Sequence, residues 1–96
     1  MSREFMEKVE KVYTISSLHT DFAHLTNAFE NIAKSLGKLD EAEKIEAQAS
    51  ALRKEASRYN DMYFHYKEHV SEIENLDLDA ILENLKEDVR ALAQNL

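Results

Sequence analysis

Apolar residues occur at Phe5, Val9, Val12, Ile15, Leu18, Phe22, Leu25, Phe29, Ile32 and Leu36, always three or four positions apart. That spacing puts them on one face of a helix with about 3.6 residues per turn. Ser2 stands where an N-cap side chain is wanted, and Gly37 follows the last stripe position, where a left-handed residue commonly ends a helix. The pattern predicts a first helix over 3–36. A second stripe, Ala42, Ile45, Ala49, Leu52, Ala56, Tyr59, Tyr63, Tyr66, Val70 and Ile73, keeps the three-four alternation of a coiled-coil seam. Asp40 with Glu43 three residues later resembles a capping box, so the second helix is expected over 40–76. Asp77 reads as a third cap, with Leu76 and Ile81 as a hydrophobic staple. Leu78, Leu82, Leu85, Val89, Leu92 and Leu96 then predict a third helix over 78–95.

Only Gly37, Lys38 and Leu39 separate the first two helices, which must therefore fold back antiparallel. If facing residues have numbers summing to about 78, Phe29 meets Ala49, Phe22 meets Ala56 and Leu36 meets Ala42, large against small. The third helix, at ~27 Å, is half as long as its ~50 Å neighbours and should reach only the level of Ser57 and Asp21. The stretch from Phe22 to Ala56 would then project as a narrow, alanine-rich two-helix arm with apolar residues left partly wet. The expected architecture is all-α: one domain over residues 1–96, a long coiled-coil-like helical hairpin with a shorter third helix, completed as a bundle by oligomerisation.

Composition narrows the choice of fold. One glycine and no proline in 96 residues cannot supply the turns of a β or α/β domain. The absence of cysteine removes disulfides, thiolate metal sites and a Cys nucleophile. Twelve Lys plus Arg against 19 Asp plus Glu give a net charge of −7, interleaved as on a solvated helix surface. Nucleic acid is not an expected partner, because the densest cationic stretch, Arg53, Lys54 and Arg58, is interrupted by Glu55. No apolar run is long enough for a membrane span, and acids sit among the first residues where a signal peptide needs an apolar core. A cytoplasmic protein is expected.

Four histidines bring chemistry into question: His19, His24, His65 and His69. On a continuous helix His65 and His69 would share a face, with Asp61 one turn before and Glu72 after. These four form a candidate metal site. A phosphoacceptor role at His19 or His24 would want an adjacent acid as base, and Thr20 and Leu25 stand there instead. No Ser-His-acid set or glycine-rich phosphate loop is present, so no enzyme and no cofactor are expected. The run Phe29-Glu30-Asn31-Ile32-Ala33-Lys34-Ser35-Leu36-Gly37-Lys38-Leu39 resembles the end of the first long helix in BAR domains of sorting nexins. The resemblance would imply dimerisation and membrane binding, but the longer helices and basic concave face of that family are absent here.

The functional expectation is a non-enzymatic protein–protein interaction module, a scaffold, adaptor or regulatory subunit. It would self-associate as a homodimer or dock a protein partner through the arm, with Phe22, Leu25, Phe29, Ile32, Ile45 and Leu52 as apolar anchors. Two alternatives are a metal-binding bundle using the His65/His69 face and a small acidic inhibitor that binds a basic surface.

Overall fold

The computed structural model describes residues 2–94. Leu96 and the expected end of the third helix at 95 lie outside them. The chain forms α1 (Arg3–Ser35), α2 (Leu39–Phe64), a 3-10 turn (Tyr66–Glu68), a short α3 (Val70–Glu74) and α4 (Leu78–Gln94), with no strand among the described residues. Together they make a rod of 53 × 20 × 15 Å.

Local signals set most of the boundaries. The Ser2 hydroxyl accepts from the Phe5 N–H at 3.1 Å and caps α1. At the other end Gly37 adopts φ 75°, and two bonds close the helix: Gly37 N–H to Lys34 O at 3.0 Å and Lys38 N–H to Ala33 O at 2.9 Å. That pair is a Schellman cap, and it turns the chain into the hairpin. Asp77 caps α4 as expected, accepting from the Ala80 N–H at 3.0 Å. Asp40 does not cap α2. The helix begins one residue earlier, at Leu39, and Asp40 and Glu41 sit in its first turn, where they face the positive end of the helix dipole.

The α1–α2 hairpin packs in the anticipated register: the His19 and Tyr59 rings are 5.3 Å apart and those of Tyr13 and Tyr63 4.8 Å. Three other expectations are corrected. The second helix does not run to residue 76 but stops at Phe64. His65 and His69, with φ near −120°, bracket the 3-10 turn. No glycine or proline breaks the helix. The run from Tyr63 to Val70 holds three aromatic residues, two histidines and one β-branched residue, all of middling helix propensity, and tertiary packing decides the outcome. Leaving the helix lets Tyr66 meet Phe5 (6.3 Å between centroids) and lets Ile73, 0% exposed, close the base of the core with Leu78.

Because α2 ends early, α4 starts farther along the hairpin than expected and covers more of it. Leu92 joins Ala33, Ala42 and Ile45 in one buried cluster next to the hairpin turn. The arm is therefore not a bare pair of helices.

The third correction concerns the face α1 turns toward α2. Up to Ile15 the apolar stripe and the buried seam coincide, in a core of Phe5, Val9, Val12, Ile15, Tyr59 and Met62. Beyond it the buried positions are Ser16, His19, Ala23, Thr26, Glu30 and Ala33, and the expected stripe lies one residue to the side. The large-against-small pairs are replaced by small against small, as with Ala33 in the cluster of Ala42. Ser16 is buried and donates its hydroxyl to Ala56 O at 2.7 Å across the interface.

Candidate interaction surfaces

Displacing the stripe exposes a ridge on α1. Leu25 and Ile32 of α1 are 41% and 47% exposed, and the row continues over the hairpin turn with Leu36, the C-cap of α1, at 60% and Leu39, the first residue of α2, at 67%. Phe22 and Phe29 beside them are half-buried, and Phe29 leans on the Leu92 cluster. From Phe22 to Leu39 the chain carries one carboxylate, Glu30. Glu30 is turned into the seam and paired with Lys34 at 3.0 Å. The ridge is thus apolar and free of negative charge of its own.

The other two expected anchors lie elsewhere. Ile45 is 5% exposed and belongs to the internal cluster, whereas half-buried Leu52 faces a trough between α2 and α4. The trough exists because α4 packs along α1 while its backbone stays away from α2. One part, about 290 Å³, is lined by Ala51, Leu52 and Glu55 of α2 and Ile81, Leu85 and Asp88 of α4, with His19 and Thr26 at its floor. A second part, about 360 Å³, continues between Glu41, Lys44 and Ala91 and shares Gln48 and Leu92 with the first.

The floor residue His19 is 5% exposed, and the apolar periodicity of α1, which places Leu18 on the expected stripe, gives no sign of this burial. Its Nδ1 is 2.7 Å from Ile15 O. A carbonyl only accepts, so Nδ1 carries a hydrogen, and in the tautomer protonated there alone Nε2 is an acceptor. Thr26 donates to Phe22 O at 2.6 Å, which keeps its oxygen's lone pairs available. The Tyr59 hydroxyl accepts from Arg58 at 3.0 Å, and burial pushes this phenol above its ordinary pKa.

The candidate metal residues do gather, though not on one helical face. Asp61 Oδ1 lies 3.8 Å from His65 Nε2, its Oδ2 lies 3.5 Å from His69 Nε2, and Glu72 Oε1 is 3.0 Å from His69 Nδ1. The break after Phe64 brings both rings back onto Asp61. With a carboxylate at each nitrogen, His69 is suited to be an imidazolium donating to both. Its pKa is raised, first by the hydrogen bond to Glu72 and then by the charges of Glu72 and Asp61. A metal ligand must be unprotonated, so this arrangement ties the turn to α2 and α3 rather than presenting an open donor set. Among the described residues no group of three or more His, Asp or Glu side chains is placed to hold a metal ion. His24 is exposed on α1, away from this group.

Comparison with known proteins adds no relative: no family model, no curated protein and no solved structure matches the chain. Among the described residues no helix is long and apolar enough to cross a membrane.

Proposed function

We propose that the chain is a non-enzymatic protein–protein interaction module that self-associates as a homodimer through the α1 ridge, acting as a scaffold, adaptor or regulatory subunit. The observation that carries this reading is the exposed row Leu25, Ile32, Leu36 and Leu39, set in a segment whose single carboxylate is turned inward. A two-fold contact places the same patch on both copies, so a surface that meets itself must be apolar or self-complementary. This ridge satisfies that condition despite the net charge of −7. A cysteine-free sequence supports a cytoplasmic setting.

The test is molar mass by light scattering over a concentration series. The wild type is expected at twice the chain mass of 11.1 kDa. Ile32→Asp is expected at the single-chain mass with unchanged helicity. Ile32 serves better than Phe29, whose removal would also disturb the Leu92 cluster. A wild type that stays monomeric at every concentration, or an Ile32→Asp variant that still dimerises, overturns the reading.

A further inference from the structure

The packing of the three long helices is asymmetric. α1 packs against α2 on one side and α4 on another, while the backbones of α2 and α4 hardly approach each other. In a four-helix bundle each helix packs closely on two neighbours and stands diagonally from the third. α1 is here the corner with both neighbours present, and α2 and α4 form the diagonal. The fourth corner is the trough between α2 and α4. From the level of Tyr59 to that of Glu41 the trough extends along α2 for roughly 27 Å, the length of about 18 helical residues.

We propose that this vacant corner receives an amphipathic helix of a foreign protein, with an apolar stripe flanked by Lys or Arg. This inference rests on the interaction reading but not on the α1 ridge. Half-buried Leu52, Ile81 and Val89 present apolar surface along the first part of the trough, over buried Leu85 and Leu92, as helix-in-groove recognition requires. The polar groups around them are mostly acceptors. His19 Nε2 and the Thr26 oxygen lie on the floor, and Glu41, Glu55 and Asp88 lie on the walls. Lys44 is the one cation of the lining, and Arg58 ties Glu55 at 3.0 Å from outside it. A rim of this sign on a body of net charge −7 selects a donor-bearing, cationic occupant. It disfavours a second copy, which would bring the same acidic surface.

Two synthetic helices of about 18 residues with the same leucine stripe, one flanked by Lys and the other by Glu, test the proposal by titration into the full chain. The Lys-flanked peptide is expected to bind one per chain, at least about tenfold tighter than its Glu-flanked counterpart, with a margin that narrows as salt rises. Ala51→Arg, on the exposed trough wall, is expected to weaken binding about tenfold or more, and Asp88→Asn to reduce the margin between peptides. Ala28→Arg, at an exposed position of α1 outside the trough, should leave binding unchanged, and circular dichroism confirms that each variant folds. Equal binding of the two peptides, or binding insensitive to Ala51→Arg, overturns the proposal. Absence of peptide binding alongside a dimer that Ile32→Asp disrupts overturns it too, while the reading of the ridge stands. A wild-type dimer that Ala51→Arg dissociates would give the trough to a second copy, contradicting the occupant proposed here.

Discussion

The two halves of the α1–α2 hairpin use the same spacing of apolar residues in opposite ways. At the base, Phe5, Val9, Val12 and Ile15 point into the interface and pack against Tyr59, Met62 and Ile73. Toward the turn, Leu25 and Ile32 point away from it, and small or polar residues fill the seam. The difference follows from what each half packs against. At the base the 3-10 turn, α3 and the start of α4 gather around the hairpin, so there is room for large side chains in the middle. In the distal half α2 offers Ala42, Ala49 and Ala56, and the close packing of the two helices is met mostly by small residues opposite, Ser16, Ala23, Thr26 and Ala33, with His19 and Glu30 among them. Buried polar atoms are not abandoned by this choice. Ser16, His19 and Thr26 all find carbonyl partners, and no buried side-chain nitrogen or oxygen among the described residues lacks a hydrogen-bond partner.

The sharpest way to break the contrast is to enlarge the narrow seam. Ala49 is 0% exposed. Ala49→Leu is expected to cost about 1–3 kcal/mol in urea unfolding, because the added methyl groups must push the helices apart. If the distal seam were loosely packed, the substitution would be neutral or stabilising.

A smaller effect comes from the base, through His69 between Glu72 and Asp61. Its pKa is raised in the folded chain, so its contribution is fully present below the ordinary histidine value and is lost as pH rises through the folded value. The midpoint of thermal unfolding should therefore fall modestly as pH rises past the ordinary histidine value of about 6.5. His69→Ala should flatten that slope. An unchanged slope in the variant would assign the pH dependence to other groups.

How far the sequence predicts the fold depends on how local each signal is. Ser2, Gly37 and Asp77 were readable because a cap acts within one turn of its own residue. The antiparallel hairpin and its register followed from a three-residue connection. The break at His65 was not readable, since no glycine or proline marks it and the three-four pattern runs straight through to Ile73. Its cause is the gain from placing Tyr66 on Phe5 and Ile73 in the core, contacts between residues more than sixty positions apart. The exposed ridge was half readable. Periodicity identifies the stripe of Leu25 and Ile32 but cannot say which neighbouring face the facing alanines will accept. The trough was hidden for the same reason, because the length of hairpin left for α4 to cover was set by where α2 stopped. Asp61, His65, His69 and Glu72 come together through the turn and not on one helical face, and Asp61 and Glu72 face the two nitrogens of His69, which periodicity alone cannot show.

Two adjacent residues carry the central claim that the seam, and not the apolar stripe, holds the distal hairpin together. Ala33 is 0% exposed and Ile32 is 47% exposed. The deciding measurement is urea unfolding of Ala33→Asp and Ile32→Asp side by side, at a concentration where both are monomeric. The account predicts that Ala33→Asp loses roughly 3 kcal/mol or more, because it buries an unpaired carboxylate, while Ile32→Asp stays within about 0.5 kcal/mol of the wild-type monomer. The reverse order, with Ile32→Asp the more damaging, would return the apolar stripe to the interface and contradict the account.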